Sequence, residues 1–308
     1  MAAPWHPPDL AVAEPGALAL AGAAGPGQGG AAAERRRGYG IAFWLSAGWA
    51  AVVVLGAVLA PVLPIRSPNA LDAFNRLQAA GSPGHLLGTD TLGRDVLSRI
   101  VYGARVSLTV GASSVVVGLT VGGILGMIAG YLRGWTERVI MWAIDVILSF
   151  PALVLLISVV AYVGRSLQTI SLVLGFLAIP IYARLARAHT LAISEREFIM
   201  AARAIGVPGR RIVRREIVPN VLPPVLSYGL IAMGVVIVVE GSLSFLGLSV
   251  TAPTPSWGGL IAEGQTFLQQ DPGLVLIPSA VLCLTVLALN LAGDTLRQRH
   301  EVGGRSGR

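Results

Sequence analysis

The 308-residue chain is 54% hydrophobic and only 13% charged, with a mean hydropathy of +0.71. Soluble domains carry about 25% charged residues, so the composition excludes an ordinary soluble protein and places the bilayer ahead of any motif. The net charge of +7 rests on 23 basic residues, all of them arginine. No basic face on a soluble module accompanies them, so they read as membrane topology and not as nucleic-acid binding.

Residues 1–38 begin with Ala, Gly and Pro in low-complexity order and are expected to form a disordered cytoplasmic tail. They lack the basic start of a secretory signal. Arg35, Arg36 and Arg37 precede the first apolar run, Ile41 to Leu63. That order predicts an uncleaved anchor helix within 39–64, its N-terminus inside, with Pro61 and Pro64 at its end. Residues 65–103 mix Gly, Pro, Asp and Arg and are expected to form an extracytoplasmic loop. The second run, Val106 to Leu132, carries Gly118, Gly122, Gly126 and Gly130. Their spacing of four puts them on one helix face, where a second backbone can approach closely; a pore-lining role is the alternative.

Arg133, Glu137 and Arg138 read as a short inner turn. The third run, Val139 to Val163, is broken by Pro151, and the fourth, Leu167 to Leu185, contains Pro180. A polar inner loop follows to Leu222. The fifth run is Pro224 to Leu246, and the outer segment Gly247 to Pro272 holds Glu263 and Asp271 but no arginine. The sixth run, Gly273 to Leu291, leads to Arg297, Arg299, Arg305 and Arg308. Residues 104–299 are thus a five-helix core and 300–308 a C-terminal tail. This topology places seventeen arginines inside and six outside. The asymmetry predicts an all-α polytopic protein with six membrane helices and both termini in the cytoplasm.

The inner loop, 195–223, has internal punctuation. Glu195 to Ile205 is rich in helix formers, Gly206 stops that helix, and Pro208-Gly209 signals a turn. Arg210 to Val218 is expected to form a second short helix ended by Pro219. The loop is therefore a helical bracket at the membrane surface. An amphipathic loop against anionic lipid is the plainer alternative.

Met200-Ala201-Ala202, then Gly206, then Ile217-Val218-Pro219-Asn220 resembles the cytoplasmic signature of bacterial ABC importer permeases. His85-Leu-Leu-Gly-Thr-Asp90-Thr-Leu-Gly-Arg94-Asp95-Val-Leu-Ser-Arg99 resembles the outer-loop signature of the dipeptide and oligopeptide subfamily, in its second, "C" type of subunit. Asp145-Val-Ile-Leu-Ser-Phe-Pro151, Leu243 to Leu248, Pro253-Thr-Pro-Ser-Trp-Gly258 and Asn290 to Arg297 are similar as well. The resemblance implies a type I ABC importer permease fold in the bacterial inner membrane. It implies docking of Met200, Ala201, Ala202, Arg203, Ala204, Gly206 and Pro219 onto an ATPase. Met200 stands where that family usually has glutamate, and an exposed ion pair is worth only about 0–1 kcal/mol. The implied partners are a homologous second permease, two ABC ATPases, an extracytoplasmic substrate-binding protein and the bilayer, with no nucleic acid. Peptide is the implied cargo; nickel, haem and glutathione-like compounds are carried in the same subfamily. The chain has no lysine and no Gly-Lys-Ser or Gly-Lys-Thr phosphate loop, so ATP and magnesium belong to the ATPases and this chain binds no cofactor itself.

Asp90, Arg94, Asp95 and Arg99 lie close enough to pair on a short helix before the second span and to shape an outer gate; contact with the binding protein is the alternative. Asp145 and Glu240 fall within apolar runs, where ionisable groups usually face a cavity or a partner. They are candidates for the translocation path, or for the relay of a proton-coupled secondary transporter. A membrane-embedded enzyme would need a catalytic constellation, and the sequence presents none. His6, His85, His189 and His300 are too scattered for a metal set. Cys283, the single cysteine, is expected to be a buried packing residue.

Overall fold

The computed structural model describes residues 40–303, with side chains described to residue 299. The expected N-terminal tail lies outside the described residues. Helices α1 (Ile41–Leu59), α2 (Val96–Val117), α3 (Gly123–Leu132), α4 (Gly134–Ser149), α5 (Ala152–Val163) and α6 (Leu167–Ser194) come first. Then follow α7 (Glu197–Ala204), α8 (Gly209–Ile212), α9 (Val218–Phe245), α10 (Trp257–Gln265) and α11 (Gly273–Gly303). Two π-helical turns, Gly118–Gly122 and Val213–Ile217, join α2 to α3 and α8 to α9 without a break. No strand forms among the described residues.

Five of the described helical stretches are long and apolar enough to span a bilayer, and α4 with α5 makes a sixth if the bent pair is one span. The break between them is 77°. Its cause is Pro151, which has no N–H to donate and forces Phe150 out of helical geometry; both residues are extended. Pro180, by contrast, sits inside an unbroken α6.

Several expected boundaries move. The second span starts at Val96, ten residues before the apolar run, because Asp95 caps it: its carboxylate accepts from the Ser98 N–H at 2.8 Å. Asp90 and Arg94 therefore lie in the turn before α2, not on a separate short helix. The expected inner turn at Glu137 and Arg138 is the first turn of α4. Pro219 does not end a helix either. It lies directly after the π turn Val213–Ile217, ten residues into the continuous helical stretch Gly209–Phe245. Helix α11 continues to Gly303, into the expected C-terminal tail. Cys283 is exposed, not buried; it faces away from the side of α11 that carries Ala288 and Leu289 into the core.

The glycine row packs against α6. A Cβ on Gly122 would lie 2.4 Å from the Ile179 carbonyl oxygen, and one on Gly126 would lie 2.2 Å from that of Ala183. Gly118 meets Tyr182, and Gly130 meets Thr190. The small-residue stripe is a helix seam, in line with the packing reading. At the outer side, Trp257 is wholly buried at the start of α10. Its indole N–H donates to the Ile100 carbonyl at 3.1 Å, and Gly258 abuts the backbone of Gly241 in α9. These contacts fix α10 across the outer ends of α2 and α9.

Candidate functional site

The inner bracket is built from the end of α6. Ser194 leads through an extended Arg196 into α7, and the chain breaks at Gly206, whose φ is +79°. That left-handed angle suits glycine and strains other residues. Pro208 then starts α8, which runs through the π turn into α9. One side of the bracket is clamped: Ile199, Ile212 and Ile217 are buried with Tyr182, Ala186, Val221 and Val225. Ala202 packs partly against this cluster. The Arg203 guanidinium lies 5.3 Å from the Tyr131 ring centroid, tying α7 to the end of α3.

The other side is open. Met200, Ala201, Ala204, Gly206 and Pro219 are exposed, and Ile205 is 80% exposed at the tip. The buried side of the bracket thus packs against residues of both α6 and α9, while its apolar tip has no cover within the chain. Sequence reading singled out Gly206 but not Ile205. The signal was present: an isoleucine immediately before a helix-stopping glycine has no core to enter.

A second cluster lies at the outer end. Asp90 accepts from Arg94 Nε at 2.6 Å and from Arg99 Nη1 at 2.5 Å. Both arginines also reach Glu263 of α10, Arg94 at 2.7 Å and Arg99 at 2.9 Å. The two arginines and Asp90 are buried, whereas Glu263 is 43% exposed. Asp95 stands apart from this group; it pairs with His85 Nδ1 at 2.9 Å while capping α2. Glu263 is the partner that local spacing could not reveal, since it is 164 residues from Arg99.

Burial works to raise the Asp90 pKa. The backbone N–H groups of Arg94 and Leu92, the Arg99 hydrogen bond and the charge of Arg94 outweigh it and hold the carboxyl below its ordinary 3.8. A lowered folded pKa stabilises the fold above the unfolded value, and that contribution is lost as pH falls below 3.8 through the folded pKa. Amides at the start of α2 are therefore expected to keep their hydrogen-exchange protection near neutral pH and lose it only in strong acid. Loss of protection close to neutrality would contradict the assignment.

The two intramembrane acids part company. Glu240 is fully buried and accepts from Ser107 at 3.1 Å and from Ser244 and Ser249 at 2.8 Å each. It ties α2, α9 and the segment after α9 together and is enclosed within this chain. Asp145 is exposed and pairs with Arg184 of α6 at 2.6 Å.

Comparison with known proteins identifies the family and the fold. Residues 122–301 match the family model described as binding-protein-dependent transport system inner membrane component. The chain is 41% identical over 244 residues to the dipeptide transport system permease protein of Alkalihalophilus pseudofirmus, covering 79% of this chain and 80% of that one. It is 39% identical over 236 residues to the glutathione transport system permease protein of Pectobacterium atrosepticum, covering 77% and 78%. The fold resembles the methionine ABC transporter MetNI in its inward-facing form, with a TM-score of 0.54 at 19% identity over 66% of this chain and 97% of that one. The chain is thus a multi-pass membrane protein and belongs to the family of binding-protein-dependent transport system inner membrane components, the permease subunits of ABC importers.

Proposed function

We propose that this chain is one of two homologous permease subunits that together enclose a path for short peptides, driven by two ATPase subunits that hold ATP and magnesium. An extracytoplasmic binding protein delivers the peptide. On this reading both termini are cytoplasmic, which the arginine distribution supports. The similarity to dipeptide and glutathione permeases supports the cargo class.

The observation that carries the reading is the bracket itself: a short helix with an exposed apolar tip, clamped below and joined by short turns to α6 on one side and to the α8–α9 stretch on the other. ATP favours the closed ATPase pair, and the bracket passes that preference to the membrane helices as a shift in their populations. The Ile205→Asp substitution changes only an exposed position, so the chain is expected to insert normally but to lose its co-purifying ATPase and ATP-dependent dipeptide uptake. Unaltered co-purification and uptake would remove the docking assignment. Wild-type uptake that persists without ATP and follows a proton gradient would remove the ABC mechanism as well.

A further inference from the structure

The chain between α1 and α2 is tied to the start of α2 at several points. The Val96 N–H donates to the Gly88 carbonyl at 3.2 Å, and the Ser98 hydroxyl donates to the Arg66 carbonyl. One histidine sits at the join. His85 is 2% exposed. Its Nδ1 lies 2.9 Å from Asp95 Oδ1, and its Nε2 lies 3.1 Å from Arg66 Nη1. These two contacts settle where the ring proton is. A guanidinium only donates, so Nε2 accepts from Arg66 and carries no proton. The proton of the neutral ring is then on Nδ1, which donates it to the carboxylate that also caps α2. The run of hydrogen bonds from Arg66 through His85 to Asp95 has one direction and is complete only with a neutral ring.

A second proton undoes this arrangement. It enters on the Nε2 lone pair, so that a donor faces a donor and a second positive charge stands beside Arg66. Asp95 keeps its contact, because Nδ1–H is unchanged. Arg66 has another partner within reach. Its side chain is 52% exposed, and its Nη1 is already 4.0 Å from Asp72 Oδ2. Asp72 accepts from Asn75 Nδ2 at 2.8 Å and from the Phe74 N–H at 3.3 Å. The Asn75 hydrogen bond foremost holds the Asp72 carboxyl below its ordinary 3.8. Asp72 is therefore ionised where an imidazole ordinarily titrates, at about 6.5. The neighbouring charged groups Asp90, Arg94, Arg99 and Glu263 are engaged with one another. Among the described residues, Arg66 and Asp95 are the charges that meet the ring.

We infer that His85 is an acid-sensitive latch: its neutral ring fastens the Arg66 side chain to the start of α2, and protonation at Nε2 releases Arg66 to Asp72 and loosens residues 67–75. The proton comes from solvent, and the only bond lost is the Arg66–His85 hydrogen bond. Helix α2 is not part of what opens, since Asp95 still caps it and Asp90 keeps both of its arginines. The connection between α1 and α2 thus answers to the pH of the compartment it faces. This holds whatever the cargo and however the bracket docks.

The test uses the assembled transporter in lipid nanodiscs, where both faces meet the same buffer. This chain carries nitrogen-15 in its histidine rings, read by solid-state NMR, and His85→Gln identifies the His85 signals by their loss. At about pH 8 the ring is expected to show a proton on Nδ1 and none on Nε2, and at about pH 5 a proton on both. A proton on Nε2 at the higher pH would overturn the Arg66 contact, and a ring still neutral at the lower pH would overturn the switch. Hydrogen exchange of the same assembly reads the release. Rates in residues 67–75 are compared between the wild-type chain and His85→Gln at each pH, so that the intrinsic effect of pH cancels. The ratio of wild-type to variant rates is expected to rise several-fold from about pH 8 to about pH 5, while the start of α2 stays protected. The variant has no ring to titrate, so it serves as the reference whether its Arg66 is fastened or already free. An unchanged ratio would overturn the release. Loss of protection in α2 together with the loop would show general unfolding in place of a latch.

Discussion

Gly126→Ala is expected to destabilise the helix bundle by about 1–3 kcal/mol, the usual cost of overpacking, and by more if the seam cannot open. The added methyl would stand 2.2 Å from the Ala183 carbonyl oxygen and 2.9 Å from the Ala186 Cβ. Neither atom is the end of a flexible side chain, so α3 and α6 must separate along the seam. Gly123→Ala is the matched control. Nothing lies within 4 Å of its would-be Cβ, and glycine in a helix interior costs about 0.5–1 kcal/mol relative to alanine. That variant is expected to be neutral or stabilising. Thermal midpoints of the two purified variants in one detergent decide the matter; equal shifts would refute the close approach.

The outer network should answer to charge. Arg99→Met is expected to cost about 3–5 kcal/mol, the penalty for removing one member of a buried ion pair. Arg99 is 1% exposed, and its loss leaves Asp90 and Glu263 sharing only Arg94. Glu263→Gln is expected to cost far less, about 0–1 kcal/mol, because its side chain reaches water. The double variant Asp90→Asn with Arg99→Met removes one buried charge of each sign and should cost less than the sum of the single changes. Additive effects in denaturation would show that the two groups do not interact.

Much of this was readable from residue order, and the failures have physical causes. The six apolar runs, the break at Pro151 and the stop at Gly206 follow from backbone chemistry that each residue carries with it. The glycine row shows where such reading is right for an incomplete reason. In a pure α-helix, residues four apart drift by about 40°, so Gly118 and Gly130 would diverge by about 120°. The π turn at Gly118–Gly122 absorbs one extra residue and returns about 100° of that drift. The row lies straight on α6 because of a backbone irregularity that no spacing rule contains. Similarly, the polar residues at the start of α2 hid a helical segment from hydropathy. Ser98 and Arg99 find partners only in the folded outer loop and in α10, through contacts with the Arg66 carbonyl and Glu263. Pro219 misled because it follows the π turn Val213–Ile217 inside a helix that does not stop there. Ile205 was overlooked since its exposure is a property of the clamped bracket, not of the residue.

The glycine seam also has a mechanical meaning. Backbone-to-backbone contact along Gly122 and Gly126 leaves no compliant side-chain layer at those points of the seam with α6, so the helices cannot slide past one another there without separating. Helix α6 has 28 residues, a length of about 42 Å. The seam from Gly118 to Gly130 meets Ala178 to Thr190, less than half of that length. Any rearrangement that keeps the seam must therefore carry that stretch of both helices together.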